Sequence, residues 1–150
     1  MSLYILDGNT LTELEDRTKP YYQTVLRRLA SLEAEDQVAL SVVSAYEFQY
    51  GIAKAEGALR QALQDTWATF AAAFLILPLD PEASGLYGEL RARYERQTGS
   101  SQRASGRHTA DFLIASTALH ARAILVSSDK IFDRLGSLMP ALQVEDWRLG

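Results

Sequence analysis

The chain has 150 residues, with 19 Asp or Glu against 15 Lys or Arg, a formal charge of -4, 47% hydrophobic content and no cysteine. That length fits one domain spanning residues 1–150, and the balance of apolar and charged residues excludes collagen-like, low-complexity and disordered classes. The missing cysteines exclude a disulfide framework, thiolate zinc sites and a cysteine nucleophile, and the net acidity opposes a surface coated with phosphate-binding bases, although a local basic patch remains open. The start at Met1–Asp7 carries no basic, apolar leader, and no run approaches the ~20 apolar residues of a membrane span, which predicts a soluble, cytoplasmic protein with no membrane partner.

Leu3 to Leu6 is an unbroken apolar run closed by Asp7-Gly8-Asn9, which predicts a strand buried on both faces and then a turn. After Pro20, the positions Tyr22, Val25, Leu26, Leu29 and Leu32 recur at helical spacing. A second strand is expected over Val38–Val43, leading into a helix in which Ser44 and Glu47 fit a capping box. A helical stripe from Leu59 to Phe74 precedes a strand at Leu75–Leu77, and Ala83 to Tyr94 marks another helix. Thr98 to Gln102 is a flexible loop by composition. A helix over Thr109–Ala121, a strand at Ile124–Val126, a short helix starting at Ser128-Asp129 and a final strand near Leu142–Val144 complete the reading. Alternating strands and helices predict an α/β fold with a parallel sheet flanked by helices, because each parallel connection needs a crossover.

Ligands of such sheets bind beyond the carboxyl ends of the strands. Asp7 follows the first strand, Glu47 lies one turn into the helix after the second, Asp111 opens the late helix, and Asp129 follows the fourth strand. Each acid alone has a local explanation as a turn former, helix cap or dipole partner. Jointly they point to one edge, where clustered carboxylates repel unless a divalent cation neutralises them, and hard oxygen donors select Mg²⁺ or Mn²⁺. Such an ion activates water and stabilises charge on phosphoryl oxygens.

Four blocks carry a family likeness: Leu3–Asn9, Ser41–Gly51, Asp111–Ala115 and Leu125–Phe132, with Val144–Trp147 closing the chain. Their order and spacing resemble PIN-domain ribonucleases, especially the VapC-type toxins of type II toxin-antitoxin systems, over nearly the whole length. The resemblance implies a four- or five-stranded parallel sheet, an Mg²⁺- or Mn²⁺-dependent endoribonuclease, a cognate antitoxin and a homodimer. It makes Asp7, Glu47, Asp111 and Asp129 the catalytic and metal-binding acids and Asn9 the residue that orients Asp7. Gly8 departs from the usual hydroxyl residue after the first aspartate, and Ile131 replaces a frequent second acid after Asp129.

Arg91, Arg93, Arg96, Arg103 and Arg107 form the most basic stretch and run into the Asp111 helix, where they could hold an RNA phosphate beside the acids; a solvated face is the alternative. Tyr21, Tyr22, Phe48 and Tyr50 read as packing residues before substrate-stacking ones. His108 and His120 have no partner at zinc-ligand spacing, and no P-loop, dinucleotide or nucleophile-elbow pattern is present. The competing functions are a catalytically degenerate PIN-like RNA- or protein-binding module and a phosphoryl-transfer enzyme using Asp7 as nucleophile.

Overall fold

The computed structural model describes residues 1–150. Its five strands are β1 (Leu3–Leu6), β2 (Gln37–Ser41), β3 (Leu75–Leu77), β4 (Ile124–Val126) and β5 (Gln143–Glu145). They form one parallel sheet in the order β3-β2-β1-β4-β5. The winding runs from β1 outward to β3 and then returns to the other side of β1, so the switch point lies between β1 and β4. In open α/β sheets that crevice is the binding edge.

Eight α-helices surround the sheet: α1 (Gly8–Glu13), α2 (Tyr22–Ala30), α3 (Val42–Lys54), α4 (Gly57–Ala73), α5 (Ser84–Thr98), α6 (Gln102–Ser105), α7 (Thr109–Ala121) and α8 (Lys130–Leu138). Alternate strand residues face opposite layers. Ile5, Ala39 and Leu125 pack with Leu90 of α5, Phe112 and Ala118 of α7, and Phe132 and Leu135 of α8. Tyr4, Leu6, Leu40 and Val126 pack instead with Leu11 of α1, Val25 of α2, Phe70 of α4 and Trp147. Both faces of β1 are therefore covered, which is why its sequence is a continuous apolar run.

Several local expectations need correction. Asp7-Gly8-Asn9 is no free turn: Asp7 is the N-cap of α1, its carbonyl accepting the Thr10 and Leu11 N–H groups at 3.0 and 3.1 Å. The second strand ends at Ser41, whose side chain caps α3 by accepting the Val43 N–H, so Ser44 lies inside the helix and makes no capping box with Glu47. Residues 99–101 are the expected loop between α5 and α6, with side-chain hydrogen bonds at its start. Gly99 takes a left-handed φ of 68°, and Thr98 Oγ1 bonds to the Tyr94 carbonyl and to Ser100. Phe48 packs against Trp67 and Phe70, whereas Tyr21 and Tyr50 are exposed.

Candidate metal centre at the carboxyl edge of the sheet

Asp7 stands where β1 gives way to α1. Its backbone N–H donates to the Val126 carbonyl at 2.9 Å, joining the ends of β1 and β4, and Thr10 Oγ1 donates to the same carbonyl at 3.1 Å. The backbone alone caps α1, which leaves the Asp7 carboxylate free of cap duty. Ser127, buried just beyond β4, donates its hydroxyl to Asp7 Oδ2 at 2.9 Å, and Ser127 Oγ in turn accepts the Asp129 N–H at 3.1 Å. Asn9 Oδ1 lies 3.2 Å from Ser127 Oγ and accepts the Ser128 N–H at 3.4 Å. Asp7, Asn9 and the β4 end are thereby locked into one arrangement.

The other acids reach the same place from separate elements. A cleft of about 680 Å³ is lined by Asp7, Glu47, Asp111 and Asp129 together with Gly8 and Asn9. Glu47 projects from α3 and has no hydrogen-bond partner, so its capping explanation fails; burial and the nearby Asp111 raise its pKa. Asp111 sits in the first turn of α7, with His108 Nδ1 3.3 Å from Oδ2, and its pKa is raised, first by burial and then by Asp129. Asp129 does cap α8, accepting the Ile131 N–H at Oδ1. That role engages one carboxylate oxygen and leaves the other for the cleft.

Asp7 shows the effect most strongly. Only 8% exposed, it is pushed from an ordinary 3.8 up to about 6 by burial, with Asp111 and Asp129 adding repulsion against the lowering effect of the Gly8 N–H and Ser127. No Lys or Arg forms an ion pair with any of the four acids. Desolvated carboxylates without a Lys or Arg partner carry an electrostatic cost that a cation would remove. Their all-oxygen donor set fits Mg²⁺ or Mn²⁺.

The acids are nevertheless splayed. The one trio of potential ligand groups whose donor atoms all lie within 4.8 Å of one another is Asp80, Glu82 and His120, on the exposed surface. Like-charge repulsion favours the wider spacing in the cleft, and a cation held there would keep part of its water shell, as Mg²⁺ commonly does.

The basic stretch divides in two. Arg91 pins α5 to α6 through Glu95, Ser105, Tyr87 and the Gln102 carbonyl, and Arg93 is held by Glu89 and the Leu138 carbonyl. Arg96, Arg103 and Arg107 are exposed, and the last two lie in the segment that delivers α7 and Asp111. Sequence reasoning missed Ser127, although its place directly after β4 was a usable signal. It also missed Glu15, which lines the cleft and whose pKa burial raises; nothing in the local sequence distinguished Glu15 from its acidic neighbours.

Known proteins share this fold. The PIN domain profile matches residues 4–138, and the chain belongs to the PIN domain family. No curated protein sequence matches the chain. Among solved structures, a chain of the VapBC2 complex from Rickettsia felis, bound to a promoter DNA fragment, superposes with a TM-score of 0.74 at 27% identity, covering 97% of this chain and 98% of its own. VapBC-1 from nontypeable Haemophilus influenzae gives 0.73 at 20% identity, again covering 97% and 98%. VapBC-5 from Mycobacterium tuberculosis, a member of the VapBC family of toxin-antitoxin systems, gives 0.62 at 22% identity, with the same coverage. The resemblance to VapC-type PIN toxins thus extends over the entire fold, and no helix is long and apolar enough to cross a membrane.

Proposed function

We propose that the chain is a metal-dependent endoribonuclease toxin, neutralised by a cognate antitoxin in the cytoplasm. The observation that carries this reading is Asp7: a buried carboxylate at the sheet's switch point, pushed up to about 6, sharing a cleft with three further acids and no Lys or Arg. Asp7 and Asp111 would hold Mg²⁺ or Mn²⁺, assisted by Glu47 and Asp129. The ion would supply a more acidic bound water and neutralise charge on the scissile phosphate. The chain's own residues do the positioning: Ser127 and Asn9 fix Asp7, His108 steadies Asp111, and the acids accept the proton that the attacking water sheds. The departing oxygen takes its proton from solvent.

Phosphate approaching an acidic cleft needs nearby positive charge, which the exposed Arg96, Arg103 and Arg107 supply. Arg91 and Arg93 support that surface from within. Replacing Arg103 and Arg107 with Ala should weaken RNA binding and flatten its salt dependence while leaving metal affinity unchanged. An unchanged salt slope would return them to a solvated face.

The antitoxin would place an Arg or Lys among the four acids, substituting for the cation's charge, and lay apolar side chains against Leu59 and Leu63 on the cleft wall. A homodimer, proposed on family likeness, is checked by light scattering. Gly8 favours the degenerate-module reading in one respect, since it removes a hydroxyl beside Asp7; added atoms at its Cβ position would meet nothing within 4 Å. The deciding experiment is RNA cleavage by purified protein with Mg²⁺ or Mn²⁺ and with a chelator. Metal-dependent cleavage abolished by Asp111→Asn supports the nuclease; RNA binding without cleavage in any metal supports the module.

A further inference from the structure

The wall of the cleft contains a polar group that no element of the fold uses. Ser44 is 4% exposed, and its Oγ is closed to solvent with no hydrogen-bond partner. Serine and threonine inside a helix ordinarily return their hydroxyl to a carbonyl of the preceding turn. Ser116 and Thr117 of α7 do so, both donating to the Leu113 carbonyl. Ser44 does not, and the cap of α3 is already provided by Ser41.

Its position on α3 explains the exception. Ser44, Glu47, Phe48 and Gly51 follow helical spacing and all line the cleft, so the Ser44 Cβ points to the same side as the Glu47 carboxylate. A buried, unpaired hydroxyl is unfavourable by itself, and each such group in a native fold calls for an explanation. Asp7, Asp111 and Asp129 border the same space, and carboxylates accept hydrogen bonds without donating them. On the α3 wall, Ser44 supplies a hydroxyl that can donate as well as accept.

We infer that Ser44 is a positioning residue for the hydration shell of the divalent cation, its hydroxyl rotating about χ1 to bond a water that the splayed acids leave without a protein partner. The inference rests on the proposed metal reading of the cleft. Mg²⁺ and Mn²⁺ sites of this kind keep waters, and groups that orient a metal's ligands from outside the coordination shell commonly change affinity by about 10- to 100-fold when removed. The cost of the unpaired hydroxyl in the metal-free protein is offset when the ion is bound.

Ser44→Ala separates this role from ordinary packing, because the two predict opposite behaviour without metal. Thermal melts of wild type and Ser44→Ala are compared over a Mn²⁺ titration, with no RNA present. The metal-free variant should melt at or above the wild-type temperature, and its apparent Mn²⁺ affinity should fall about tenfold. A metal-free variant that melts well below wild type, or one with unchanged Mn²⁺ affinity beside a normal wild-type response, overturns the Ser44 assignment alone. A wild type that shows no Mn²⁺ stabilisation overturns the metal reading and this inference together.

Discussion

Two acidic places in this molecule look alike in composition and differ in physics. Asp80, Glu82 and His120 bring three donor groups within 4.8 Å, yet Asp80 already accepts the Glu82 N–H and pairs with His120 at 3.1 Å, which hold its carboxyl below the ordinary range. Asp7, Glu47 and Asp111 stand farther apart, and burial holds each above the ordinary range, Asp7 and Glu47 without a basic partner and Asp111 despite His108 at 3.3 Å. The first group is open to water and its Asp80 is relieved by its partners; in the second, Asp7 is buried with no cationic partner. Perturbed carboxylates in a cleft are the feature on which the proposed metal site rests, and closeness of ligand atoms is the feature of the exposed trio.

The comparison breaks most visibly under substitution. Asp7→Asn should abolish RNA cleavage, by 100-fold or more on the order expected when a group stabilising transition-state charge is lost, while Asp80→Asn should leave cleavage near wild type. Loss of cleavage in Asp80→Asn with retention in Asp7→Asn reverses the assignment.

The same contrast appears without substrate. A carboxyl whose folded pKa exceeds its unfolded value binds more protons in the native state, so stability falls as pH rises through the interval between the two. For Asp7 the interval runs from 3.8 to about 6, and the cost above it is on the order of 3 kcal/mol. Metal-free protein should therefore gain stability from this group as pH drops from 7 to 4, with Asp111 and Glu47 acting in the same direction. Denaturant melts at several pH values check this; in Asp7→Asn the gain should shrink, and a gain of wild-type size in that variant contradicts the account.

A smaller effect concerns Gly8. Gly8→Ser has free space around the new Cβ and restores a hydroxyl beside Asp7, so Mn²⁺ affinity should rise by up to about tenfold with the fold intact. Unchanged affinity would make the hydroxyl irrelevant here. The smallest effect lies outside both acidic places: Arg122 closes α7 with a left-handed φ of 55°. Arg122→Gly should stabilise the fold by about 1 kcal/mol without altering metal binding, because glycine adopts that conformation without the Cβ penalty.

Most of the architecture was legible because apolar runs and helical stripes report burial directly. Leu3–Leu6, Leu75–Leu77 and Ile124–Val126 are strands where their apolar runs placed them, and Thr109–Ala121 is a helix to its last residue. The errors fall at strand-to-helix junctions. At Ser41 and Asp7 the chain passes from strand to helix within one residue, so strand and helix patterns overlap and the first helical turn reads as strand or turn. The four acids could be placed on one edge by topology alone. Their splay, the Ser127 bond to Asp7, the internal engagement of Arg91 and the unpaired Ser44 hydroxyl depend on contacts between segments far apart in sequence, which no local pattern encodes.

In the proposed reading the acids of the β1–β4 edge, and not the tight exposed trio, hold the divalent cation. Calorimetric titration of Mn²⁺ into metal-free wild type, Asp7→Asn and Asp80→Asn tests it without reference to RNA. The account predicts saturable binding in wild type and in Asp80→Asn, and its loss in Asp7→Asn. Binding retained in Asp7→Asn and lost in Asp80→Asn would contradict it.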